Sequence, residues 1–163
     1  MARTELDRAV LPSLLDRLTD EAHTEPADHA TTREESARVF KRSVQRDVEW
    51  LLNTRRSMIN VSAAFPEVLV SVHEYGLPDT SGLSFATAEG RQQLTDDITE
   101  TLRRFEPRLV NVTVRLQNTA GVTASDVRFS IEATLRMDPS PEQVIFDTVL
   151  EIASGAYDVD SKA

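Results

Sequence analysis

Glu106 and Arg108 are the two residues whose types and spacing most directly suggest a chemical role. They flank Pro107, which cannot continue a helix and which biases the residue before it toward extended backbone. An acid and a guanidinium held at such a corner can form an internal ion pair, worth at most about 1 kcal/mol if exposed. They can instead dock another chain, because the planar fork of arginine pairs bidentately with carboxylates. The residues alone leave both interpretations open.

A second kind of chemistry can be argued from carboxylates. Glycosidases place two carboxyl groups across a sugar, and the candidates here are Glu74, Asp79, Glu106 and Glu132. The chain contains 27 acidic residues, so carboxylates in suggestive places carry little weight. Arg108 also favours the ionised form of Glu106, whereas a general acid must hold a proton. We therefore expect no enzymatic activity, and a carboxylate-dependent muramidase, which is a peptidoglycan glycosidase, is the alternative.

Several other kinds of site have no sequence motif in this chain. It has no glycine-rich phosphate loop, no Gly-x-Ser-x-Gly elbow and no histidine pair at metal-binding spacing. It has no cysteine, which excludes disulfides, zinc–thiolate sites and a thiol nucleophile. The net charge of −9 repels phosphate backbones. We expect no cofactor, no metal and no nucleic-acid partner.

The apolar pattern changes its period at the Glu106–Arg108 corner. Helical spacing comes before the corner, in Leu94, Ile98, Leu102 and Phe105. Strand-like alternation follows it, in Val110, Val112, Val114 and Leu116. These patterns predict a helix with Thr87 as its N-cap, a stop at Pro107, and a strand directly after the stop.

Two further alternating segments, 127–135 and 144–152, follow turn clusters at 118–121 and 138–141. They predict an antiparallel meander with the helices packed on one face. If the last of these strands lies at the edge of the sheet, its free backbone groups can accept an incoming strand. The residues from Ser154 onward are expected to form a frayed tail.

The longest predicted helix covers 31–54 and begins with a capping box, either Thr31 with Glu34 or Thr32 with Glu35. One face carries the core residues Ala37, Phe40, Val44, Val48, Leu51 and Leu52. A different face carries Val39, Arg46 and Trp50. A second apolar face on a helix is most often a second core contact, although tryptophan and arginine are also typical anchors of protein interfaces.

A short helix is predicted near the N-terminus, at 11–18, with Pro12 in its first turn. Its apolar stripe consists of Leu11, Leu14, Leu15 and Leu18. A helix this short is not stable alone, so it must dock either on its own domain or on a partner. Polar residues 19–30, including Pro26, predict a linker after it.

The length of 163 residues fits one domain. We expect an α+β fold: N-terminal helices, a helix–proline–strand corner, and a three- to four-stranded antiparallel meander covered by helices on one face. Its parts would be a docking segment at 1–30, one domain at 31–155 and a flexible tail at 156–163. No stretch is apolar enough to span a membrane and no signal-peptide pattern is present, so a cytoplasmic location is expected.

Several stretches together resemble one known family, and they occur in its order. They are residues 11–18, residues 43–55, Tyr75-Gly76-Leu77-Pro78-Asp79 and Phe105-Glu106-Pro107-Arg108-Leu109. The chain resembles the phage-baseplate "lysozyme-like" wedge family, which includes a subunit of the type VI secretion baseplate. The Glu-Pro-Arg signature of that family is intact here at residues 106–108.

The resemblance implies a non-enzymatic role at the inner face of the cell envelope. Members sit in the baseplate wedge and start polymerisation of the contractile sheath. The implied partners are the other wedge subunits (TssF, TssG and TssK) and the sheath subunits. The partner-binding residues that we expect are Glu106, Pro107, Arg108, Val39, Arg46, Trp50, Leu14, Leu15 and Leu18.

Overall fold

A four-stranded antiparallel sheet with helices on one face forms the body of the protein. The computed structural model describes residues 10, 13–19, 32–59, 61–80, 82–117, 126–138 and 140–162. Its helices are α1 (Leu14–Thr19), α2 (Arg33–Asn53), α3 (Pro66–Leu69) and α4 (Ala88–Phe105), with a 3-10 turn at Val72–Glu74. Its strands are β1 (Leu109–Leu116), β2 (Asp126–Leu135), β3 (Glu142–Glu151) and β4 (Ala156–Lys162). The predicted α+β meander is confirmed.

The two long helices begin where their capping residues predict. The Thr32 side chain accepts a hydrogen bond from the Glu35 N–H, and Thr87 accepts one from the Gly90 N–H. Such caps satisfy amide groups that have no partner inside the helix. The alternative cap Thr31, residues 11–12, most of the predicted linker and the turn at 118–121 lie outside the described residues.

The core lies between the sheet and the two long helices. The strands are ordered β1-β2-β3-β4, with α4 lying against β1 and α2 against β4. The fully buried side chains include Val44, Val48, Leu52, Leu94, Ile98, Leu102, Phe129, Ile131 and Phe146. They come from the predicted apolar faces of α2, α4 and the strands, which explains why both helices cover the same side of the sheet.

The C-terminal residues form a strand and not the frayed tail that we expected. β4 pairs along its length with β3, from Glu151↔Ala156 to Ile145↔Lys162. Tyr157 and Val159 are buried on the core side. Their alternation with aspartates is a strand pattern, but it is short enough to be overlooked in the sequence. The last strand predicted from the sequence, β3, is therefore not at the edge of the sheet, because it is bonded on both sides.

The segment between α2 and α4 contains two short helical turns. The spacing of Val68, Val70 and Val72 is also typical of a short strand or an extended connection, but Val68 lies in α3, Val70 at its C-cap and Val72 in the 3-10 turn. Pro66 occupies the first turn of α3, where its missing N–H is not needed. Among the described residues, none of the helices has the length and apolar character that crossing a bilayer requires.

Candidate functional site

The Glu106–Arg108 corner is built from the end of α4 and the start of β1. Glu106 caps α4, donating its N–H to the Leu102 carbonyl at 2.9 Å. The Leu109 N–H then donates to the Glu106 carbonyl at 3.1 Å, which closes a turn around Pro107. The chain changes from helix to strand within this one turn, so the side chains of residues 106 and 108 come to the same side.

Arg108 and Glu106 form a forked ion pair. Arg108 Nε donates to Glu106 Oε1 at 2.6 Å, and Arg108 Nη2 donates to Glu106 Oε2. Glu106 is 4% exposed, whereas the side chain of Arg108 keeps 23% of its surface exposed. The structure thus shows the internal ion pair that the sequence left open, and the acid does not face solvent.

The ion pair continues into a longer network that reaches two helices. Arg108 Nη2 also donates to Asp47 Oδ2 at 2.8 Å. Asp47 Oδ1 accepts from Arg46 Nη2 at 2.8 Å, and the same nitrogen of Arg46 donates to Asp16 Oδ1 at 2.7 Å. The charged network Asp16–Arg46–Asp47–Arg108–Glu106 therefore ties α1, α2 and the corner together. Its three carboxylates and two guanidinium groups leave one net negative charge.

Hydrogen bonding within the network stabilises its charged forms. The bonds to Glu106 and then to Asp47 raise the pKa of Arg108 despite its burial. Burial alone would raise the pKa of Asp16, but hydrogen bonds from Ser13, Arg46 and Ser43 outweigh it and hold that pKa below its ordinary value. Each of the five charged groups in this network thus has an oppositely charged partner.

Exposed apolar side chains lie beside the network. The α1–α2 surface, as we call it, consists of Leu14, Leu15, Leu18, Val39, Arg46 and Trp50. Leu14 and Leu18 are 71% and 72% exposed, and Trp50 is 52% exposed. The Arg46 guanidinium stacks over the Trp50 ring, 4.8 Å from its centroid. Arg46 thus contacts Trp50 on its own helix and Asp16 on α1, the helix that carries the predicted leucines, while Glu106 is buried.

The carboxylates of the glycosidase alternative lie near basic side chains, and Asp79 lines the same cavity as Arg55. Both side-chain oxygens of Glu106 accept from Arg108. Glu132 lies within 3.5 Å of Arg115 on the strands, and buried Glu74 lies near Arg56 and His73. A carboxylate whose two oxygens both accept from a guanidinium is poorly placed to donate a proton to a leaving group.

Sequence reasoning missed Asp47 as the centre of the network. It bonds Arg108 from 61 residues away in the chain. The available signal was its position beside Arg46, within the stretch 43–55 that carried part of the family resemblance. Within the described part of the chain, no three histidine or carboxylate side chains converge as metal ligands would.

A compact α+β domain with a self-paired charged corner and neighbouring exposed aromatic and aliphatic groups has the features of a protein-docking module. Residues 38–140, more than half of the chain, match the model of the baseplate wedge protein gp25 family. The chain belongs to this family of structural baseplate proteins. No curated protein matches the chain. The matched region runs from α2 through the corner to the turn after β2.

Proposed function

We propose that this chain serves as the TssE-type subunit of a type VI secretion baseplate. In this role it is a non-enzymatic scaffold in the cytoplasm, at the inner face of the cell envelope. It binds the wedge subunits TssF, TssG and TssK and initiates polymerisation of the contractile sheath. The observation that carries the proposal is the family match across the intact Glu-Pro-Arg corner.

The corner supports docking by fixing the surface beside it. Arg108 joins the start of β1 to the middle of α2 through Asp47, and Arg46 joins α2 to α1 through Asp16. Both ties hold the α1–α2 surface in one arrangement before a partner arrives. A preorganised surface binds more tightly because less conformational freedom is lost on association. Trp50 and Arg46 are residue types that commonly dominate binding energy at interfaces.

Sheath initiation by strand addition needs a free sheet edge, and the two edges differ. On β4, the Asn53 side chain bonds the N–H and carbonyl of Tyr157, and Gln45 bonds the carbonyl of Val159. On β1, Arg103 Nη2 donates to the Val112 carbonyl at 3.2 Å, and farther along the strand the Gln117 N–H donates to the Arg128 carbonyl of β2. Backbone groups alternate between the two sides of a strand, so those of Val114 and Leu116 point away from β2. We propose the Val114–Leu116 part of this border as the place where a sheath strand adds.

Co-purification with the wedge subunits tests the docking surface. Trp50→Ala and Leu18→Ser should each reduce capture of TssF and TssG at least tenfold, since truncated anchor residues commonly cost 2 kcal/mol or more. Ile145→Ala is the matched control, because Ile145 is 41% exposed on the sheet face away from the helices. Undiminished capture by both surface variants would contradict the proposed surface.

A double variant tests the role of the Glu106–Arg108 corner. Glu106→Ala with Arg108→Ala should weaken wedge assembly, and normal co-purification of this variant would contradict a role for the corner. Because Glu106 is buried, each sample must first show the far-ultraviolet circular dichroism of the folded protein. Arg108→Lys keeps the charge but loses the fork, and should fall between wild type and the double variant.

Sheath nucleation and enzymatic turnover are separate readouts. In a mixing assay, wild-type protein with its wedge should shorten the lag of sheath assembly, and Val114→Pro should abolish this effect by removing an edge N–H. An unchanged lag of sheath assembly with the wild type would refute initiation.

The muramidase alternative is tested with purified peptidoglycan. We expect no turnover by wild type, and turnover that Glu106→Gln abolishes would establish a muramidase.

A further inference from the structure

Residues 57–59 and 61–76 belong to a loop on the side of the domain that holds the end of α4. The loop, called here the 57–76 loop, is fastened at its base where the Arg56 N–H donates to Leu77 O at 2.9 Å. The Leu77 N–H donates in turn to Thr54 O at 2.8 Å. Leu77 is fully buried, so the base is anchored in the core. The loop is therefore held at both ends as one projecting unit.

The 57–76 loop presents apolar side chains to solvent. The exposed ones are Met58 at 84%, Ile59 at 71%, Phe65 at 61%, Val70 at 64% and Val72 at 90%. None of the residues of α3 is buried. Glu67 is the sole charged residue between Ser57 and Val72, in a chain that is 28% charged. Single exposed apolar residues are ordinary, but such a concentration marks an interaction surface.

The neighbouring face of α4 is acidic. Arg104 Nη1 lies 3.5 Å from the carbonyl of Leu69 in the loop, and Arg104 also pairs with Glu100. Asp96 and Asp97 lie one turn back from Glu100 on the same helix. Burial raises the pKa of Asp97, while the Gln93 hydrogen bond and the Arg56 charge lower it. The loop and this face of α4 carry five carboxylates against the two guanidinium groups of Arg56 and Arg104, namely Glu67, Glu74, Asp96, Asp97 and Glu100.

We propose that the 57–76 loop and the acidic face of α4 bind an amphipathic helix of a partner protein, one that carries lysine or arginine beside its apolar stripe. The apolar stripe would cover Phe65, Val70 and Val72, and its basic flank would meet Asp96 and Glu67. Helices of this kind commonly bind apolar surfaces through residues spaced three and four apart. This surface is separate from the α1–α2 surface and does not depend on the type of baseplate.

Charge argues against two other occupants of the same surface. A second copy of this chain, related by a two-fold axis, would bring one acidic face of α4 against another. A membrane surface carries anionic lipids, which attract basic and repel acidic surroundings. A second copy or a membrane could also cover the apolar side chains of the loop. The acidic residues that border the loop, however, favour a basic helix over both.

Binding of two designed peptides to the full-length protein tests the proposal. Both are fluorescein-labelled amphipathic helices with the same leucine stripe, one flanked by lysines and the other by glutamates. Fluorescence anisotropy should show the lysine peptide binding at least tenfold more tightly at low salt, with a smaller difference at high salt. Phe65→Ser with Val72→Ser should weaken it at least tenfold. These side chains are mostly exposed, so the fold should survive.

Charge variants distinguish binding of the lysine peptide at this surface from its nonspecific attraction to an acidic protein. Glu67→Gln with Asp96→Asn should weaken the lysine peptide, whereas Asp158→Asn with Asp160→Asn removes equal charge from β4 and should change little. Ile145→Ser is the apolar control. Equal binding of the two peptides, or equal weakening by the control variants, would overturn the proposal.

The competing occupants have their own readouts. Sedimentation that shows a dimer abolished by Val72→Ser would assign the surface to self-association and overturn the proposal. Flotation with anionic vesicles that Val72→Ser abolishes would assign it to lipid, with the same consequence. Wedge co-purification is unaffected by these outcomes, so failure here remains distinguishable from failure of the proposed function.

Discussion

Arg108 Nη2 and Asp47 Oδ2 lie 2.8 Å apart, which ties the start of β1 to the middle of α2. Arg108 thus serves two carboxylates at once, its neighbour Glu106 and the distant Asp47. The Phe40 ring of α2 also lies near the guanidinium, at 6.0 Å from its centroid. The corner is therefore a joint between the helical layer and the sheet.

Asp47→Asn should destabilise the domain by about 2 kcal/mol, because a hydrogen bond between charged groups is replaced by a weaker one and Arg108 and Arg46 lose a shared counter-charge. Urea unfolding followed by circular dichroism measures the difference. Asp158→Asn, on the exposed side of β4, is the matched control and should stay within about 0.5 kcal/mol of wild type. Equal unfolding midpoints for wild type and Asp47→Asn would show that the joint contributes nothing.

The tie between α1 and α2 should depend on pH through Asp16. Its folded pKa is below its ordinary value, so ionised Asp16 contributes stability that is complete above the ordinary carboxyl pKa of about 4. That stability is lost as pH falls through the lower folded value. Asp16→Asn should therefore be less stable than wild type at pH 7, by about 1 kcal/mol, and the difference should disappear in acid. A difference that grows in acid would contradict the assignment.

Gly76→Ala should lower the free energy of unfolding by at least about 2 kcal/mol. Gly76 has a φ of +105°, and an added Cβ would lie 2.3 Å from the Thr54 carbonyl oxygen at the base of the 57–76 loop. Gly82→Ala is the control, since a Cβ there meets nothing within 4 Å. It should be neutral or slightly stabilising, because alanine restricts the unfolded chain. Thermal melts of both variants measure these changes in stability.

Asp97→Asn should stabilise the protein at pH 7. Burial raises the pKa of Asp97, so at neutral pH the folded state holds a carboxylate whose ionised form it disfavours. The penalty is complete above the raised folded pKa and disappears below the ordinary value, where both states are protonated. The unfolding midpoint of Asp97→Asn should thus exceed that of wild type at pH 7 and match it near pH 3. Destabilisation of Asp97→Asn at pH 7 would contradict the raised pKa of Asp97.

Asn53→Ala should both destabilise the domain and open the β4 edge. The Asn53 amide takes the place of a neighbouring strand, accepting from the Tyr157 N–H at 2.9 Å and donating to its carbonyl at 2.8 Å. Its removal leaves both backbone groups unpaired, at a cost of about 1–3 kcal/mol. Concentration-dependent association should increase, as measured by light scattering. Gln92→Ala, on the exposed face of α4, should leave both properties unchanged.

The helices, the corner and the first strands were predictable because their signals are local. Thr32 and Thr87 cap helices through bonds to residues three positions on, and Pro107 ends α4 by its own covalent geometry. β4 was missed because its alternation spans few residues, and only pairing with β3 makes those residues a strand. The burial of Glu106 was missed because it depends on packing between distant segments.

The sequence by itself determined the α+β class, the helix-to-strand corner and the family resemblance, since these depend on residue types, periodicity and proline within short windows. Only the tertiary structure decided that Glu106 turns inward and that Asp47 shares Arg108 with it. It alone decided that side chains of α2, Asn53 and Gln45, bond the backbone of β4. Such pairings join residues far apart in the chain, and their geometry exists only once the helices have packed on the sheet.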